Sequence, residues 1–88
     1  MKPLNYAILK YMTKVPEASV QDVMHALEGE YGTFKAFNYD DIQTALMTAV
    51  TNGLLEESHF DMDGNNQVRV FFRAHPEGAA TINQYIRD

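Results

Sequence analysis

Cysteine is absent from the 88 residues, and with it go a disulfide framework, a thiolate metal site and a cysteine nucleophile. Long apolar runs are absent too: none approaches the roughly 20 residues of a membrane-spanning helix, and Met1-Lys2-Pro3-Leu4 leads into a patterned segment without a signal-peptide cleavage site. The expected location is the cytoplasm, with no membrane partner. Positive charge is scarce. Seven Lys and Arg face twelve Asp and Glu, leaving −5 at pH 7 and a pI near 5.0, a balance that repels polyanions at long range and counts against a sequence-blind grip on nucleic acid. A glycine-rich phosphate loop, a Ser-His-Asp elbow and an isolated carboxylate pair in an apolar setting are also missing, so neither an enzyme nor a cofactor is expected.

What is present is enough for one core. Hydrophobic residues make up 45% of the chain, with five Phe and five Tyr, a composition that offsets the entropy of ordering. At this length, residues 1–88 are expected to form a single domain whose function lies on its outside. Leu4, Ala7, Ile8, Tyr11 and Met12 recur every three or four positions, which predicts a first helix ending near Lys14, before Pro16, with Lys10 and Lys14 suited to its C-terminus. Ser19 and Asp22 form a capping-box pattern ahead of Val20, Val23, Ala26 and Leu27, predicting a second helix to about Glu30. Between Gly32 and Phe37 no period holds, so a loop with inward aromatics is expected. Asn38 then opens a third helix with Asp40 and Asp41 in its first turn and Ile42, Ala45, Leu46, Ala49 and Val50 as its apolar stripe. Gly53 followed by Leu54 has the form of a Schellman stop.

Beyond Leu55 the period falls to two. Ser58, Phe60 and Met62 alternate with polar neighbours, and Val68, Val70 and Phe72 alternate with Arg69, Phe71 and Arg73, predicting two strands joined across Asp63-Gly64-Asn65-Asn66. Pro76 and Glu77 begin a short last helix through Ile82, Tyr85 and Ile86. The expected class is therefore α+β: a three-helix core, a two-stranded antiparallel hairpin and a C-terminal helix.

This order resembles the winged helix-turn-helix domains of bacterial regulators. Leu46, Val50, Asn52, Gly53, Leu54 and Leu55 are similar to the family's third-helix ending, and Phe72-Arg73-Ala74-His75-Pro76-Glu77-Gly78 to the Tyr-x-Leu-Thr-x-x-Gly passage by which PadR-type and MarR-type repressors leave the wing. The resemblance implies a third helix in the major groove of double-stranded DNA and a wing on the backbone or minor groove. Carried onto this sequence, it designates Tyr39, Asp40, Gln43, Thr44, Met47 and Thr48 on helix three, with Asn65 and Asn66 at the wing tip. The departures are a third helix without Lys or Arg, paired aspartates at its start, and a turn before it longer than three or four residues.

Several residues carry two readings. Gln43 and Thr44 can address base edges, or form the polar face that any amphipathic helix needs. Arg69 and Arg73 flank Phe71 on one side of their strand; with Lys35 they are candidate phosphate contacts, or the arginines pair with Glu56 or Glu57 across the hairpin. Asp61, Asp63 and Asn65 imitate the start of a calcium loop, but Asn66 and Phe72 stand where its glycine and bidentate glutamate belong, and a turn accounts for them better. His25, His59 and His75 have no ligand spacing, and His75 suits a helix cap. Burial is expected of Phe34 and Phe37, a surface role of Phe71, and Ile82, Tyr85 and Ile86 either pair two copies or pack on helix one. Two functions remain open: a homodimeric DNA-binding regulator, and an acidic module that binds another protein.

Overall fold

In the computed structural model, which describes residues 1–88, the elements run α1 (Leu4–Met12), β1 (Ala18–Ser19), α2 (Val20–Tyr31), α3 (Tyr39–Thr51), β2 (Glu56–Met62), β3 (Val68–Arg73) and α4 (Pro76–Tyr85). The helical periods become burial. Leu4, Ala7, Ile8 and Met12 of α1, Val20 and Val23 of α2, and Ile42, Leu46 and Ala49 of α3 converge with Ala18, Tyr31, Leu55, Phe72, Ile82 and Ile86 in one core. Each large member removed from water contributes about 1.5–3 kcal/mol. Ala26, placed by its spacing on the inner stripe of α2, is exposed. No helix is long and apolar enough to cross a membrane.

Helix ends follow the polar signals. Ser19 Oγ accepts the Asp22 N–H at 3.2 Å while the Asp22 carboxylate accepts the Ser19 N–H at 3.0 Å, completing the capping box of α2. Gly53 adopts φ 77°. The Leu54 N–H then reaches Ala49 O at 2.9 Å and the Gly53 N–H reaches Val50 O at 3.0 Å, closing α3 in a Schellman motif. His75 caps α4: its Nδ1 accepts the Gly78 N–H at 3.0 Å, so the ring proton belongs on Nε2, which donates to Gly53 O at 3.0 Å. The start of α4 is thereby tied to the end of α3. Gly78 sits so close to the Leu54 carbonyl that a Cβ there would collide with it, which gives the glycine of the His75-Pro76-Glu77-Gly78 passage a steric cause.

The sheet has three strands, in the order β1-β3-β2, where sequence patterning predicts two. The extra strand, β1, is only two residues long and pairs antiparallel with β3, Ala18 opposite Phe72 and Ser19 opposite Phe71. Alternation cannot be recognised over two residues. Between β2 and β3 the register slips at Ser58, which forms a bulge; beyond it His59 faces Phe71, Phe60 faces Val70, Asp61 faces Arg69 and Met62 faces Val68. At the tip, Asp63 Oδ1 accepts the N–H groups of Asn65 and Gln67 at 2.8 and 3.0 Å, and Asn66 takes φ 61°. The aspartate that imitates a calcium ligand is occupied in holding the turn.

Candidate nucleic-acid interface

The outer side of α3 divides into two rows by helical spacing. Tyr39, Gln43 and Met47 form one row at i, i+4, and Thr44 and Thr48 the other. All except the half-buried Gln43 are exposed, and the side chains of Gln43, Thr44 and Thr48 make no hydrogen bond to the protein, whereas Thr51 folds back onto Met47 O at 3.2 Å. At the N-terminus of α3, Asn38 Oδ1 accepts the Asp41 N–H at 2.9 Å and its Nδ2 donates to the Asp41 carboxylate at 2.8 Å. Asp41 is thus turned towards its own helix start, where the dipole favours it; Asp40 stays exposed. The preceding turn, Gly32 to Asn38, exposes Lys35. In the same turn Phe34 is 41% exposed, lying edge-on to the buried Tyr31 at 5.0 Å, while Phe37 packs against the core. Burial of Phe34, expected from the sequence, is corrected: Tyr31 takes the core position beside it and bonds Lys2 O at 2.7 Å.

On the hairpin, cross-strand pairing decides what the arginines meet. Arg69 grips Asp61 through Nε and Nη2, both at 2.9 Å, and Arg73 Nε reaches Glu56 at 2.9 Å. The Asp61 partner follows from the strand register rather than from the Glu56 and Glu57 considered for it. The guanidinium hydrogen bonds hold the Asp61 carboxyl below its usual range and push Arg69 up, with the charges of Asp63 and Asp22 adding to the latter. Phe71 is half-buried: the His59 ring stacks on it at 4.6 Å and Arg69 lies 5.5 Å from its centroid. Its expected surface role is reduced to that partly covered ring. Glu17 accepts from Ser58 Oγ at 3.2 Å and lies 3.2 Å from His59 Nδ1. Ser58 Oγ meets that same nitrogen at 3.3 Å, so the trio does not have the relay order of a nucleophilic triad.

Two of the other cations are similarly engaged. Lys10 is buried and donates to Asn83 Oδ1 at 2.7 Å and Ile86 O at 2.9 Å, and Lys14 reaches Asp88 at 2.9 Å, which lowers the Asp88 carboxyl. Lys10 therefore serves the end of α4 rather than that of its own helix. Four of the seven Lys and Arg are committed to internal partners, and Lys2, Lys35 and Arg87 have no carboxylate within ion-pair distance. Ile82 and Ile86, considered as a pairing surface, are buried in the core, because α4 packs on α1; Tyr85 remains 75% exposed. Asn65 and Asn66 are exposed at the turn. Unforeseen is an apolar face on the hairpin, where Phe60, Met62 and Val68 are 72%, 55% and 55% exposed. The alternation at 60, 62 and 68 was its only signal, and it reads equally well as burial.

No family model matches the sequence, and no curated protein matches it. Among solved structures, the fold is similar to that of Bacillus subtilis PadR, seen in a crystal structure in complex with operator DNA, with a TM-score of 0.75 at 20% sequence identity. The likeness covers 97% of this chain and 47% of that one, so the chain spans about half the length of the protein it matches. Four helices, their order and the antiparallel hairpin thus give this chain a winged-helix fold similar to that of the PadR structure.

Proposed function

We propose that the chain is a DNA-binding winged-helix regulator, acting as a cytoplasmic homodimer whose α3 enters the major groove while the hairpin lies along the backbone. The observation that carries this reading is the similarity over 97% of the chain to a regulator bound to its operator. It is supported by an α3 face whose Gln43, Thr44 and Thr48 side chains are free of protein partners. Gln43 addresses adenine, and Thr44 a thymine methyl or a phosphate. Tyr39, Met47 and Thr48 complete the face, and Lys35, Asn65 and Asn66 contact phosphates on either side of it. Arg69 and Arg73 take part by exchanging Asp61 and Glu56 for phosphate oxygens. Two copies are required, since one brings so few uncommitted cations.

A second reading, an acidic protein-interaction module, is favoured by a specific finding: α3 has no cation, Asp40 is exposed at its start, and the hairpin presents Phe60, Met62 and Val68 to solvent. An NMR titration with mixed-sequence duplex DNA at about 50 and 200 mM salt separates the two. The regulator reading expects shifts on α3 and at the hairpin turn that weaken at the higher salt, with Lys35→Ala reducing the logarithmic salt slope by about 1. Gln43→Ala changes sequence preference, whereas Arg69→Ala weakens all duplexes alike. Absence of shifts in those segments at the lower salt rejects the regulator reading in favour of the second.

A further inference from the structure

β2 runs along the rim of the sheet, with β3 on one side of it and no strand on the other. The opposite rim belongs to β1, which is two residues long and turns directly into α2, so β2 supplies the long open edge. Such an edge carries backbone N–H and C=O groups without strand partners. The Ser58 bulge lies towards its base, and from His59 to Met62 the register with β3 is regular. Phe60 faces Val70 and Met62 faces Val68, which gathers the exposed Phe60, Met62 and Val68 on one side of the hairpin. The other side sets Glu56 against Arg73, His59 against Phe71 and Asp61 against Arg69. Three β2 residues are acidic, Glu56, Glu57 and Asp61, and none is Lys or Arg. Both hairpin arginines stand on β3 and meet their acids from that side, leaving Glu56 Oε1 without a partner.

We propose that β2 accepts an extended segment of another protein as a fourth strand, one in which basic residues alternate with apolar ones. Strand addition takes its affinity from main-chain hydrogen bonds and its specificity from alternate side chains. On one side, the apolar side chains of the added strand cover Phe60 and Met62. On the other, its cations meet Glu56 and Asp61 from the flank that the arginines leave open, so that each acid lies between two cations. A second copy of this chain is a poor occupant: β2 paired with β2 sets three acids against three, with no Lys or Arg in either strand. A phosphate backbone meets the same repulsion. The inference gives the protein-interaction reading above a partner class and rests on the hairpin face that reading uses; α3 takes no part in it.

The test uses the isotopically labelled chain without DNA and three end-blocked peptides at equal millimolar concentration. The first is Thr-Lys-Val-Thr-Val-Lys-Thr, the second has glutamate for both lysines, and the third, Lys-Lys-Thr-Thr-Thr-Val-Val, keeps the composition of the first without its alternation. The first peptide should shift the β2 amides and slow hydrogen exchange at alternate ones, as new strand bonds cover them. The glutamate and scrambled peptides should bind roughly tenfold more weakly. Glu56→Gln combined with Asp61→Asn should erase the preference for lysine over glutamate. Should that pair of changes loosen the hairpin, Phe60→Lys, at a side chain clear of the core, should still weaken the first peptide by about tenfold in a folded chain. The proposal is overturned by any of four results: no β2 shifts with the first peptide, equal binding of either control, β2 shifts without exchange protection, or a folded Phe60→Lys chain that binds as before. β2 shifts on raising protein concentration alone also overturn it, since a second copy then takes the edge. A chain that binds the first peptide but no duplex keeps the proposal and loses the regulator reading; one that binds duplex but no peptide does the reverse.

Discussion

The helical body and the hairpin are held by different forces. Of the fifteen apolar residues in the core, one, Phe72, comes from β2 or β3. Apart from the half-buried Val70, which packs against that core, the rest of the hairpin relies on its hydrogen-bond ladder, a clamped turn and the ion pairs Arg69–Asp61 and Arg73–Glu56, whose side chains are more than a third exposed. Buried area supplies most folding free energy, and exposed pairs supply little. The body therefore sets global stability, while the hairpin opens locally at lower cost. For the proposed function this division is useful. A hairpin held by exchangeable ion pairs can release its arginines without disturbing the core.

Core truncation breaks the comparison most severely. Leu46→Ala should cost about 2–5 kcal/mol and Phe72→Ala about 3–5 kcal/mol, whereas Phe60→Ala should stay within roughly 0.5 kcal/mol. Urea unfolding measures all three, and a Phe60→Ala loss as large as that of Phe72→Ala would abolish the distinction between the two regions. Next in size is Gly78→Ala. Its methyl group must displace the Leu54 carbonyl, at a cost of about 1–3 kcal/mol, and calorimetry should show a lower melting temperature with secondary structure intact. Ser19→Ala removes the α2 cap and should cost about 1 kcal/mol, read from the same urea curves.

The smallest effect is acid loosening. Asp61 and Asp88 have carboxyls lowered by Arg69 and Lys14 respectively, so their contribution is complete above the ordinary aspartate value and is lost as pH falls through the lower folded values. Below about pH 4, amide exchange should rise in β2, β3 and the end of α4, after correction for intrinsic rates, before α1 and α3 respond. Simultaneous loss of protection everywhere would mean that these contacts are not local.

Where local chemistry decides the backbone, the sequence was readable. The Ser19 and Asp22 box, the Gly53 stop, the turn across Asp63 to Asn66 and the His75 cap each depend on residues within five positions of one another. The sheet register depends on distant partners and was less readable. Asp61, not Glu56 or Glu57, meets Arg69 because the Ser58 bulge sets the pairing beyond it. Phe60 and Met62 have the alternation of a buried strand but lie where the body does not cover them. For the candidate site, polarity along α3 marked Gln43, Thr44 and Thr48. Pairing of the hairpin arginines across the strands was readable, and Arg73 meets Glu56 as expected; the commitment of Lys10 and Lys14 was hidden, since Asn83, the Ile86 carbonyl and Asp88 reach them from more than seventy positions away.

Ser19 is both the last residue of β1 and the cap of α2. Its place in the sheet, opposite Phe71, couples the base of the hairpin to the start of that helix. Tilting the hairpin on a bound partner must therefore strain the Ser19–Asp22 contacts, so a load applied at one end of the molecule is felt at the first turn of α2.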